Sequence, residues 1–202
     1  MEYDNLFRII MLVGIALVVP FAFYYRLKSN ETHEKLDRKQ EGLAILIGIR
    51  FFAFLAFAGL FAYFVNPEYM RWSAIELPLW VRAVGVLCGL AGGILWIASF
   101  HYLGRNLTDT VIVREKATLV TNGPYKYMRH PFYVAMALVI LANGLVSVNW
   151  FITIAGLATL AFIYLRIPKE EKRLIERFGD DYLHYMEVTP RFGMGKRSQK
   201  GK

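Results

Sequence analysis

A single cysteine, Cys88, stands in the whole chain of 202 residues, so no disulfide framework can staple a small secreted fold. It lies in an apolar stretch, where a lone thiol packs as a small hydrophobe. No cluster of His, Cys and carboxylates has metal-ligand spacing, and no metal is expected. Neither a GxGxxG nor a Walker sequence occurs, which excludes the nucleotide folds built on those turns. Internal repeats and low-complexity tracts are lacking as well. Charge is sparse, at 20% of residues, and acidic side chains are outnumbered by basic ones, 16 to 24.

Apolar residues make up 56% of the chain, a share that rules out disorder or a collagen-like fibre. The placement of the charges says more than their number. From Leu6 to Tyr25 only Arg8 is charged, from Leu43 to Val65 only Arg50, from Leu79 to His101 only Arg82, and from Pro131 to Leu165 nothing is. A bilayer core takes about 20 mostly apolar residues per helix. The first three gaps each fit one crossing, and the fourth fits two short ones. The expected fold is an all-α integral membrane protein, a single membrane domain over 1–202 with five transmembrane helices near 6–25, 43–65, 79–101, 132–146 and 149–167. Too little remains for a separate soluble domain with its own core.

The net charge of +8 follows from the same pattern. Of 24 Lys and Arg, 5 fall between Arg26 and Lys39, 5 between Arg105 and Arg129, and 10 from Arg166 onward. Five crossings put all three segments on one side, the cytoplasmic face by the positive-inside rule. The expectation is a multi-pass protein of the cell membrane, N-terminus outside and C-terminus inside, its basic face against anionic lipid headgroups and not nucleic acid. The first apolar run has no small-residue cleavage site after it and reads as a retained helix.

Several local signals refine this layout. Pro20 marks a kink, Arg26 to Glu41 mixes both charge signs as a solvated loop or surface helix, and Asn66-Pro67 ends the second helix. Tyr69, Trp72 and Trp80 suit an interfacial belt. Gly85, Gly89 and Gly93 recur every four residues beside Gly92, the spacing of a close helix packing seam. After Ile167 and Pro168 the sequence reads as a cytoplasmic amphipathic helix broken at Gly179, with Leu174, Ile175 and Phe178 on one face. Residues 193–202 are basic and Gly-rich, as in a disordered tail.

The stretch between the third and fourth helices is longer than a connection needs, and such loops tend to be functional. Thr110–Arg114 and Thr118–Thr121 are β-prone, Asn122-Gly123-Pro124 is a turn, and Pro131 suits the first position of a helix. Backbone N–H groups at that helix start can accept a carboxylate. His130 and Tyr133 flank the start and can face one cavity. Arg166 and Glu170 lie four apart and share a helix face; they either pair as snorkelling surface groups or jointly line a site. Arg50 is an intramembrane charge that is either functional or snorkelling, and His101 at a helix end is either structural or catalytic.

Taken together, Leu119-Val120-Thr121-Asn122-Gly123-Pro124-Tyr125, then Arg129-His130-Pro131-Phe132-Tyr133, then Arg166 and Glu170-Glu171, then Phe178-Gly179-Asp180-Asp181-Tyr182, resemble the isoprenylcysteine carboxyl methyltransferase family, which is related to phospholipid N-methyltransferases. The resemblance spans roughly Leu103 to Pro190. It implies an integral membrane enzyme that takes S-adenosylmethionine from the cytoplasm, releases S-adenosylhomocysteine, and draws a lipophilic or lipidated acceptor from the bilayer. The loop 102–131 and the segment 168–190 would form the cofactor pocket. By position, Ala117, Thr118, Leu119 and Val120 would line the adenosine, and Tyr125, His130, Pro131, Phe132 and Tyr133 would complete the pocket. Glu170 would hold the cofactor and Arg166 would orient the acceptor's carboxylate, making these two the expected catalytic residues. Ala117 and Thr118 stand where a His is often found, and Thr110 where eukaryotic members carry a Gln.

Methyl transfer of this kind is an in-line displacement at a sulfonium carbon, so the protein chiefly holds donor and acceptor about 3 Å apart in a dry site. A carboxylate is already a nucleophile near neutral pH, and an arginine fork suffices to position it. An amine acceptor must first lose a proton, for which Glu171 or His101 is the candidate base. The expected reaction is carboxyl O-methylation. The alternatives are phospholipid or amine N-methylation, a nicotinamide-dependent membrane reductase, and a non-enzymatic transporter or scaffold, although a transporter would more typically show related halves.

Overall fold

The computed structural model describes residues 3–30, 42–106 and 117–193. The expected loop over 31–41, the β-prone run Thr110–Arg114 and the tail from residue 194 onward lie outside these. Six helices follow in order: α1 (Asp4–Asn30), α2 (Leu43–Val65), α3 (Leu79–Leu103), α4 (Pro131–Ser147), α5 (Trp150–Phe178) and α6 (Asp180–Val188). Among the described residues there is no strand beyond one isolated bridge between Ala74 and Asn149, and the β-prone Thr118–Thr121 is irregular.

Four helices, α1, α2, α3 and α5, are long and apolar enough to cross a membrane, whereas α4 has 17 residues. At 1.5 Å per residue α4 spans about 25 Å, a little short of a bilayer core. Only 6% of the apolar window of α1 and 11% of that of α2 is buried, against 33% for α5. The outer helices therefore turn their large side chains outward, as lipid-facing surfaces do, and the chain is a multi-pass helical membrane protein.

Glycines set how closely the helices approach. A Cβ on Gly85 would lie 2.8 Å from Cβ of Leu145, and one on Gly92 3.0 Å from Cβ of Leu138, so α3 and α4 touch nearly backbone to backbone. Gly93 instead faces Val18 of α1. The seam steps 85, 89, 92 and not 85, 89, 93, because a four-residue repeat overshoots the 3.6-residue turn. Gly48 of α2 receives the ring of Phe162 from α5 in the same way.

Pro168 sits inside α5, which runs unbroken to Phe178 and ends where Gly179 takes φ +57°. The expected separate cytoplasmic helix is thus an extension of the fifth long helix, since a proline removes one hydrogen bond and packing on both sides offsets that loss. Pro20 is likewise carried inside α1, which reaches Asn30. At the far end of the bundle the Arg82 guanidinium is buried. It donates to Asp4 at 2.8 Å, to the Val146 carbonyl at 2.9 Å and to the Tyr63 hydroxyl at 3.3 Å, fastening four helices together.

Candidate functional site

The other end of the bundle, where α3 stops and α4 begins, is built from short irregular segments that need anchoring. Asn106 anchors the first: its side chain donates to the Thr118 carbonyl at 3.1 Å and accepts from the Thr118 N–H at 3.3 Å. Gly123 anchors the second. Its φ is +59°, and a Cβ there would come within 2.4 Å of the Tyr102 ring, so only glycine lets this turn seat on α3. The turn delivers Tyr125, whose carbonyl accepts a hydrogen bond from the Tyr185 hydroxyl of α6.

His130 precedes α4, and its N–H donates to the Arg191 carbonyl at 3.1 Å, beside a bond of 2.9 Å from the Arg129 N–H to the Pro190 carbonyl. Residues 189–193 therefore run as a strap along the start of α4. Beneath it lies Glu171, only 4% exposed. Its carboxylate accepts from the Arg129 guanidinium at 3.0 and 3.1 Å, from Arg191, and from His130 Nε2 at 3.2 Å. That last contact assigns the His130 proton to Nε2, because an ionised carboxylate can only accept. Arg129 also donates to the carbonyls of Met186 and Thr189, the latter at 2.6 Å. The hydrogen bond to Glu171 raises the affinity of Arg191 for its proton.

Above this layer is a cavity of about 340 Å³. Ala117, Thr118, Leu119, Val120, Tyr125, His130, Phe132, Tyr133, Arg166 and Glu170 all line it. Pro131 does not; it is fully buried behind the wall, at the first turn of α4. The His130 and Tyr133 rings stack, 5.4 Å apart and 15° from parallel, and the Tyr133 hydroxyl donates to Glu170 at 2.5 Å. The aromatic wall and the carboxylate are thus one connected unit. Burial holds the Tyr125 phenol well above its ordinary ionisation range, with the Glu170 charge adding to the effect. Tyr182 and Tyr185 are shifted upward for the same main reason, so these walls stay neutral at physiological pH.

Neither base candidate for an amine acceptor faces the cavity. Glu171 is a held anion between two guanidiniums and the His130 ring, and the Nδ1 of His101 instead shares a hydrogen bond with the Tyr25 hydroxyl, 2.7 Å away and outside the lining. Arg50 is exposed and also lines nothing there. Tyr182 and Tyr185, from the expected pocket segment 168–190, also line the wall, whereas sequence reasoning missed Arg26 and Trp96 in the wall and Arg191 and Phe192 behind it. Nothing local marks these four: they reach the site by packing between distant segments.

The bundle and its end cavity define the class, a multi-pass helical membrane protein with a chamber of mixed lining where α3 ends and α4 begins, walled by α5. The sequence profile of the isoprenylcysteine carboxyl methyltransferase (ICMT) family matches residues 83–176, somewhat under half of the chain. Protein-S-isoprenylcysteine O-methyltransferase of Xenopus laevis is 33% identical over 120 residues, 55% of this chain and 40% of the relative. The Dictyostelium discoideum protein of the same name is 35% identical over 105 residues, covering 50% of this chain and 44% of the relative. The cobalt-zinc-cadmium resistance protein CzcN of Cupriavidus metallidurans is 28% identical over 128 residues, covering 60% and 53%. The chain spans less than half the length of the two methyltransferases it matches here.

Proposed function

We propose that this chain is an S-adenosylmethionine-dependent membrane methyltransferase acting on the carboxylate of an isoprenylcysteine-like or other lipophilic acceptor. The observation that carries the reading is the convergence of the stacked His130–Tyr133 pair, Glu170 and Arg166 on one cavity within the region matched by the family. The residues fit the cofactor. Glu170 offers a carboxylate to its cationic groups, residues 117–120 offer backbone and apolar surface to its nucleoside, and Tyr182 presents a buried hydroxyl that has no partner among the described residues. When bound, that cofactor supplies an electrophilic methyl group on a sulfonium.

The chain's own part is positional. Arg166, one helical turn from Glu170 on α5, holds the acceptor carboxylate beside the methyl donor. Tyr133 orients Glu170 through its hydroxyl, and the buried Glu171 layer keeps His130 and the start of α4 in register. A carboxylate acceptor is already ionised near neutral pH, so no proton has to be removed from it. In the membrane, α4 makes a fifth, short crossing, the N-terminus lies outside, and the cavity opens to the cytoplasm.

The test is calorimetry in detergent. S-adenosylhomocysteine gives saturable heat with the wild type, and His130→Ala or Glu170→Ala weakens binding at least tenfold; a folded wild type that does not bind refutes the proposal. Incubation of a labelled methyl donor with a farnesylcysteine analogue then yields a base-labile ester. Stable label confined to added phosphatidylethanolamine instead marks the enzyme as an N-methyltransferase.

A further inference from the structure

A second cavity, of about 330 Å³, lies between α2, α4 and α5, lined mainly by apolar side chains such as Ala56, Phe57, Val139, Ile140 and Ile152. Trp96 and Met136 line both this cavity and the first. They form the partition between the chamber that holds Arg166 and Glu170 and a more apolar cleft within the bundle.

Trp96 carries an unmet demand. Its indole N–H is buried and has no hydrogen-bond partner among the described residues, whereas Trp72, Trp80 and Trp150 are 62%, 66% and 42% exposed and can bond to headgroups or water. An indole N–H is a donor only, and leaving it unpaired in a buried place is unfavourable. Phe132, itself in the chamber wall, holds the ring edge-to-face at 5.0 Å. Phe100 also packs on the ring at 6.0 Å, while Met136, which lines both cavities with it, is unbranched and adaptable and can yield as the indole turns.

We propose that Trp96 is an acceptor-binding residue: on acceptor binding its indole turns to donate to an oxygen of the acceptor's carboxylate and opens the partition. This deepens the methyltransferase reading above and rests on it. The acceptor is the one ligand that occupies both spaces, its apolar part in the cleft and its reacting head in the chamber, so a side chain belonging to both meets the acceptor. Arg166 grips the carboxylate by charge. A neutral donor adds direction without taking further negative charge from the attacking oxygen.

The experiment uses the full chain in detergent with its indoles labelled with nitrogen-15. Four tryptophans give four side-chain signals, and Trp96→Phe identifies the one that disappears. S-adenosylhomocysteine is added first, then N-acetyl-S-farnesylcysteine. The Trp96 N–H proton moves downfield at the second addition and not at the first. Trp96→Phe raises KM for the acid about tenfold, as loss of one hydrogen bond to a charged group does, while kcat and S-adenosylhomocysteine affinity stay within about twofold. Replacement by benzothienylalanine, which puts sulfur in place of N–H at nearly the same volume, reproduces the KM effect if the bond matters and keeps the ring's packing. A signal that moves with S-adenosylhomocysteine alone, one unmoved by the bound acid, or an unchanged KM in the sulfur isostere overturns the proposal. Failure of S-adenosylhomocysteine to bind the wild type is a different result, which removes the methyltransferase reading and this inference with it.

Discussion

Glu170 and Glu171 are neighbours in sequence, yet a helix turns about 100° between consecutive side chains, so one faces the chamber and the other the packed layer behind it. Glu170 meets Tyr133; Glu171 meets Arg129, His130 and Arg191. Their variants separate accordingly. Glu171→Gln leaves two guanidiniums in a buried site without their anion, a change that costs about 3–5 kcal/mol. It is expected to lower the melting temperature in detergent by several degrees, with Arg191→Ala milder because that side chain is 34% exposed. Glu170→Gln is expected to leave the melting temperature nearly unchanged and to act on cofactor affinity. The buried tyrosines add a pH dependence. In the unfolded chain their phenols ionise near pH 10, while burial keeps Tyr182 and Tyr185 neutral to higher pH in the fold. The stability they contribute is therefore intact below pH 10 and lost as pH rises above it. A melting curve series across pH 8–11.5 in wild type and Tyr182→Phe checks the sign: the variant, which lacks one ionisable group and gives up no hydrogen bond, falls off less steeply.

At the scale of elements, periodicity in the sequence announces which side chains share a face. Arg166 with Glu170 and His130 with Tyr133 are local pairs at helical spacing, and both pairs line the cavity. What periodicity does not carry is the partner of each face. The strap 189–193 bonds to Arg129 and His130 across about sixty residues of chain, and no spacing rule brings those segments together. Pro168 shows the converse, a strong local signal overruled by packing on both sides of it. Pro168→Ala restores a backbone donor inside α5 and is expected to raise the melting temperature slightly, with S-adenosylhomocysteine affinity unchanged within about twofold. A marked loss of binding in that variant would show that a bend at Pro168 shapes the chamber.

For the whole molecule, polar clusters close both ends of the bundle, and the chamber lies at only one of them. Arg26 at the end of α1, the turn at Gly123 and the strap all lie around a single chamber, although they are far apart in the chain. With α4 as a fifth crossing, the two termini fall on opposite sides of the membrane. Reporter fusions that fluoresce only in the cytoplasm are expected to light at the C-terminus and stay dark at the N-terminus. Equal signals would mean that α4 does not cross and that the chamber's orientation has to be redrawn. By itself the sequence determined the membrane character, four long apolar spans and a set of candidate residues between Ala117 and Glu170, because hydropathy runs and helical spacing are local properties of the chain. Only the tertiary structure decided that Glu171 is a braced anion and not a base, that Pro131 lies behind the wall, and that Trp96 stands unpaired between two cavities. Those outcomes depend on which distant side chains meet, and in a bundle of similar apolar helices that choice is made by close packing at glycines and by a few buried ion pairs.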